Sequence, residues 1–295
     1  MPPAVLNHDF LIRPAPEEVA AVMVNLPASP NVLPCLSGLL QESEVGLEEL
    51  TALLRLDPGL AVRVLQMGNG RMTLDDRHTG VSIEEVIKRV GFYSVASMIG
   101  KVAKEQVFAR PVSLYGLDAE EWWRWSVSCA LAAEILAVYT GEDPRVAYMA
   151  GLLHSVGIVA IDEWALRKAP SIQFMPRGVL CEFVESERAL FGCTQAEVGA
   201  AMLRQWGFSP AVIEPVRCQY APYSSAGYAR MACLLNAAKW LRTVVCTEDN
   251  RRPPVMPDAV ILQPLRLTPE RLARFVVDLR IRLGEVRNRI EAVAA

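Results

Sequence analysis

Apolar side chains recur every three to four residues along most of the chain, and strict apolar–polar alternation is almost absent. The first period gives a helix one continuous apolar face, whereas a strand needs a period of two. The last stretch is the clearest, with Leu272, Phe275, Val276, Leu279, Leu283, Val286 and Ile290 in helical register. Helix boundaries are equally legible. Ser82 and Glu85 have the spacing of a capping box, with Val81 and Val86 at the two staple positions around it. Asp118 with Glu121 and Thr194 with Glu197 make the same kind of start. Asp57-Pro58, Asp143-Pro144, Ser209-Pro210 and Thr268-Pro269 each set a capping residue before proline at the first helical position. Gly91, Gly141 and Gly207 fall where helices should stop. The pattern predicts an all-α protein of about ten or more helices.

The same punctuation divides the chain. An N-terminal arm covers residues 1–25 and a first helical lobe 26–112, ending at the turn Arg110-Pro111-Val112-Ser113. A second lobe covers 113–222. A C-terminal extension, 223–295, holds one apolar helix from near Ala226 to Cys246, a Pro-rich loop and the last long helix. The most apolar run, Ala147 to Ile161, is shorter than a membrane span and contains His154, so it reads as a buried core helix. No internal repeat or low-complexity tract interrupts the pattern.

Composition agrees with a packed chain: 295 residues, 52% hydrophobic and 21% charged. A formal charge of −3 and a pI near 5.8 argue against a general nucleic-acid binder, which needs a basic excess or stripe. The one compact basic run, Arg251-Arg252, lies in the Pro-rich loop and reads as a solvated turn. The segment Met1 to Asp9 has neither a basic n-region nor an apolar h-region. Seven cysteines occur with no Cys-x-x-Cys, which suggests reduced, packed thiols and a cytoplasmic location.

Several segments carry a family resemblance. Leu50-Thr51-Ala52-Leu53-Leu54-Arg55-Leu56-Asp57-Pro58-Gly59-Leu60 through Gly68-Asn69, and Val81 to Gly91, resemble the first lobe of the HDOD family. That family is an all-helical relative of the HD phosphohydrolases, found in bacterial regulation. Trp122-Trp123-Arg124-Trp125-Ser126 through Cys129-Ala130 resembles the opening helix of its second lobe. Ala150-Gly151-Leu152-Leu153-His154-Ser155-Val156-Gly157 resembles its central motif. Gln195-Ala196-Glu197-Val198-Gly199-Ala200, followed by Trp206-Gly207, resembles its third signature. The order holds over residues 26–222. The resemblance implies an HD-domain-like bundle of five to seven helices carrying an N-terminal helical lobe.

Active HD hydrolases hold one or two metal ions with histidines and an aspartate that directly follows the central histidine. The metal lowers the pKa of bound water and polarises a phosphoryl oxygen. By resemblance the ligand positions fall on Trp125, His154-Ser155, Gln195 and Gln219-Tyr220, and only His154 is a good ligand. A count of residues agrees: the chain has three histidines, His8, His78 and His154, and no His-Glu-x-x-His.

Other chemistry is weaker. Gly68-Asn69-Gly70 lacks a Walker lysine and reads as a helix end. Ser155 beside His154 invites a nucleophile–base pairing, but adjacent helical residues point about 100° apart. His154 reads first as a core histidine, and otherwise as one polar wall of a leftover pocket. Trp122, Trp123 and Trp125 suggest a stacking platform, though tryptophans so close together straddle both helix faces. Trp125 is expected to fill the space of the lost metal centre.

The reading is a non-catalytic regulatory protein with no metal or cofactor, acting through a signalling partner in trans. A sensor that uses the pocket walls Trp125, His154, Ser155, Gln195 and Gln219 for a nucleotide or small anion is the alternative, and a residual metal-dependent phosphohydrolase comes last. A second copy of the chain is a further candidate partner; nucleic acid and membrane are not. Such a pocket has little fixed charge of its own. Arg204 and Arg217 are the candidates to supply charge to it.

Overall fold

The computed structural model describes residues 13–41, 46–69, 82–105, 110–170, 172, 183–225, 227–247 and 254–294. Among these residues there is helix and no strand. The N-terminal arm contains α1 (Pro16–Ala20), and the first lobe contains α2 (Leu33–Leu39), α3 (Leu47–Leu54), α4 (Pro58–Asn69), α5 (Ile83–Val90) and α6 (Phe92–Glu105). Then come α7 (Ala119–Thr140), α8 (Pro144–Leu153), α9 (Val156–Lys168), α10 (Phe183–Phe191), α11 (Gln195–Gln205) and α12 (Pro210–Arg217). The last three are α13 (Ala229–Cys246), α14 (Ala259–Leu262) and α15 (Pro269–Ala294).

All three capping boxes form. At α5 the Glu85 amide donates to Ser82 Oγ at 3.1 Å and the Ser82 amide to Glu85 Oε2 at 3.0 Å. Asp118 with Glu121 and Thr194 with Glu197 repeat the reciprocal pair at α7 and α11. Each box satisfies two amides that a helix start leaves without partners. Gly141 ends α7 at φ 76°, a left-handed backbone that favours glycine. Ser209 stands at the N-cap of α12, but its hydroxyl makes no capping bond. Val81, and with it the staple, lies outside the described residues, as do Gly70 and Arg251-Arg252.

α7 is the axis of the second lobe, with α8, α13 and α15 packed against it, while α9 packs on α11. Two glycines set how closely these helices approach. A Cβ on Gly151 of α8 would meet the Cys129 carbonyl oxygen of α7 at 2.6 Å. A Cβ on Gly157 of α9 would meet the Gln195 carbonyl oxygen at 2.0 Å, far inside van der Waals contact. Backbone therefore lies against backbone where the end of α8, the start of α9 and the start of α11 converge. The apolar stretch Pro144–Lys168 is long enough to cross a membrane by length and composition, yet its apolar 18-residue window is 89% buried. It is not one rod, because the helix breaks at His154-Ser155.

The C-terminal extension is packed into the body. α13 contacts α7, α8 and α12, and α15 contacts α13, α7 and α2. The helical period of α15 does what it predicts: Leu272, Phe275 and Leu279 are buried, and Val276, Leu283, Val286 and Ile290 pack against the core. The six described cysteines are free thiols, five of them buried.

Candidate functional site: a histidine–arginine centre

The site forms where α8 stops. His154 caps α8 and Ser155 precedes α9, so both residues sit at a break between helices, and both are buried. Gln195 is the first residue of α11, brought alongside by the Gly157 approach. Gln219 follows α12, and Trp125 lies on α7. The structure joins His154 to Gln219 and, through Arg242 of α13, to Trp125; Ser155 directly follows His154, and the Gln195 backbone stands against Gly157. His8 and His78 lie outside the described residues.

His154 is buried, and both ring nitrogens are engaged. Nδ1 lies 2.7 Å from the Gly151 carbonyl oxygen, and Nε2 lies 3.0 Å from Arg242 Nη1. A carbonyl can only accept, so Nδ1 carries the proton and Nε2 accepts from the guanidinium. Burial pushes the His154 pKa well below its usual value, and the charges of Arg242 and Lys239 push it further down. The imidazole is neutral, an acceptor toward Arg242.

The surrounding contacts are specific. Gln219 Nε2 donates to the His154 carbonyl at 2.8 Å and to the Val216 carbonyl at 2.9 Å. Gln195 Nε2 meets the Tyr220 hydroxyl at 2.8 Å. The Arg242 guanidinium stacks 4.7 Å above the Trp125 ring, and Lys239 Nζ sits 3.4 Å above the Tyr220 ring. Behind them, Glu187 accepts from the Tyr115 hydroxyl at 2.8 Å and from the Gln195 backbone N–H at 2.7 Å. Burial raises the Glu187 pKa to about 7. Four buried atoms in this cluster have no hydrogen-bond partner: Ser155 Oγ, Gln195 Oε1, Gln219 Oε1 and Arg242 Nε.

Three expectations change. Trp125 is half-buried rather than sealed in the core, and the place beside His154 Nε2 is taken by Arg242. The fully buried tryptophan of the trio is Trp122, 3% exposed. Arg204 and Arg217 do not supply charge here, since they pair with Glu17 and Glu214 respectively. The fixed charge comes from Arg242 and Lys239 on α13, which the motifs did not reach. Their one signal in the sequence is two cations three residues apart within the run from Met231 to Val245. No hydrogen bond joins Ser155 Oγ to His154, so the nucleophile–base pairing has no geometric support.

The donors do not suit a divalent ion of the HD type. An indole, a hydroxyl and two amides stand at the other ligand positions, and the one imidazole is committed to a guanidinium. Among the described residues no group of three or more His, Cys, Asp or Glu side chains could hold a metal ion.

The described residues form an all-α, HD-domain-like helical bundle. Within that class the chain belongs to the HDOD family, whose domain model matches residues 26–222. The chain is similar in fold to the MmoQ response regulator of Methylococcus capsulatus. That likeness has a TM-score of 0.64 and 21% identity, over 86% of this chain and 99% of the other. A virulence factor of Campylobacter jejuni is also similar, with a TM-score of 0.59 and 18% identity over 77% and 83% of the two chains. An uncharacterised protein of Treponema pallidum is 26% identical over 201 residues, 65% of this chain. The matched stretch is 37% of that relative's length. Arg242 and Lys239 lie beyond the family match.

Proposed function

We propose that this HDOD protein is a non-catalytic regulatory module that passes a signal to another protein in trans through its helical surfaces. One observation carries the reading: the imidazole at the central position of the family motif spends its free lone pair on Arg242. A hydrolytic metal needs that lone pair, and the guanidinium brings a positive charge that repels the ion. The similarity to a response regulator of Methylococcus capsulatus accords with a role in signalling.

The test is turnover of nucleotides, cyclic dinucleotides and a chromogenic phosphodiester, with and without added manganese, next to affinity capture from host lysate. The reading predicts background hydrolysis and specific retention of a partner. Hydrolysis abolished by His154→Ala would replace it with the phosphohydrolase reading. A second reading, a sensor that binds a small ligand at the same place, is favoured by the orphaned polar atoms around Arg242.

A further inference from the structure

Arg242 and Lys239 stand three residues apart on α13, a spacing that puts both on one helix face. Arg242 is 2% exposed and Lys239 9%. Every partner of the Arg242 guanidinium is neutral: the His154 ring, the Thr243 hydroxyl at 3.2 Å and the Trp125 face. Its Nε has no partner, and among the described residues no carboxylate forms an ion pair with it. Glu187, which accepts from the Tyr115 hydroxyl and the Gln195 backbone amide, also acts on Lys239 through space. A buried guanidinium is strongly disfavoured without a counter-charge. Trp125 and Tyr220, whose faces carry the two cations, are half-buried.

We propose that Arg242 and Lys239 form an internal site for a small phosphoryl oxyanion, with Ser155 and Gln195 as its neutral hydrogen-bonding walls. Arg242 offers its unpartnered Nε–H, and Lys239 offers charge. Ser155 offers a buried hydroxyl whose hydrogen has no acceptor. Turning the Gln195 amide exchanges its orphaned oxygen for an NH2 and leaves Tyr220 to donate in its place. Two resident cations then supply the positive charge that metal ions supply in HD hydrolases, but no hydroxide, so the anion is held and not cleaved. This rests on the sensor reading of the pocket. The phosphoryl group can be free or the terminal phosphate of a nucleotide.

The experiment is a thermal-shift titration of the full chain at fixed ionic strength with inorganic phosphate, 5′-AMP and adenosine, repeated by equilibrium dialysis at 25 °C. The expected result is a saturable rise in Tm with phosphate, since a ligand that binds only the folded state stabilises it. A larger rise with 5′-AMP than with phosphate assigns the phosphoryl group to a nucleotide, and an equal or smaller one assigns it to the free ion. Arg242→Gln should weaken phosphate binding by about tenfold or more, the scale of a charge-assisted hydrogen bond. Arg242→Lys, which keeps the charge, should retain part of the binding if Arg242→Gln does not fold. Arg217→Gln should bind as the wild type does. The proposal is overturned by a shift of equal size in wild type and both Arg242 variants, the mark of an adventitious ion only. No shift with phosphate or 5′-AMP also overturns it. A shift with adenosine alone keeps a sensor pocket and removes the anion from it.

Discussion

Arg242 donates to Nε2 of His154 across 3.0 Å, joining the histidine of the family's central motif to a helix beyond the matched residues 26–222. The bond places a full positive charge where a catalytic metal would need the same lone pair. It also makes α13 part of the site.

The Arg242 charge should be measurable at the ring it touches. In Arg242→Met the His154 pKa should rise, because a cause of its depression is gone, while burial still holds it below the usual value. Imidazole resonances followed by NMR across pH would show the rise. An unchanged His154 titration would mean that the contact does not persist in solution.

Much of this was legible in advance. The capping boxes, the proline starts and the period of α15 are local signals, each written within a few residues, and they form as read. The five pocket side chains were placed by motif, which fixes position within the bundle. Arg242 was not legible, because nothing in the run from Met231 to Val245 says which helix lies opposite. The half-burial of Trp125 has the same origin: Arg242 takes the space that Trp125 was expected to fill.

Glu187 should give stability a pH slope of a definite sign. Its folded pKa is near 7 against an ordinary 4.5, so between those values the folded chain holds a proton that the unfolded chain has released. This contribution therefore falls as pH rises from about 4.5 to about 7. Glu187→Gln should remove it, changing the wild-type-minus-variant stability by ~3 kcal/mol at most across the window. Urea unfolding at a series of pH values reads the difference, and parallel curves would contradict the assignment.

The helix approach at Gly157 is testable by one methyl group. Gly157→Ala should destabilise by about 1–3 kcal/mol or more, because the added carbon meets backbone that cannot swing aside. At Gly284 in α15 nothing lies within 4 Å of an added Cβ. There the same change should stabilise by about 0.5–1 kcal/mol through helix propensity. Equal effects at both positions would refute the close approach.

Two neighbouring tryptophans should separate in the same kind of assay. Trp122 is buried, and Trp122→Ala should cost about 3–5 kcal/mol. Trp125 is half-buried under Arg242, so Trp125→Ala should cost clearly less. A Trp125 loss as large as that of Trp122 would restore the plug expected from the sequence.

The lone pair of the central imidazole can serve a metal or Arg242, not both. The most direct measurement is elemental analysis of the purified protein after dialysis against zinc, iron and manganese, for wild type, His154→Ala and Arg242→Ala. Wild type should hold far less than one metal per chain, with no change in His154→Ala. Any gain should appear only in Arg242→Ala, where the lone pair is released. About one metal ion per wild-type chain, lost in His154→Ala, would contradict this.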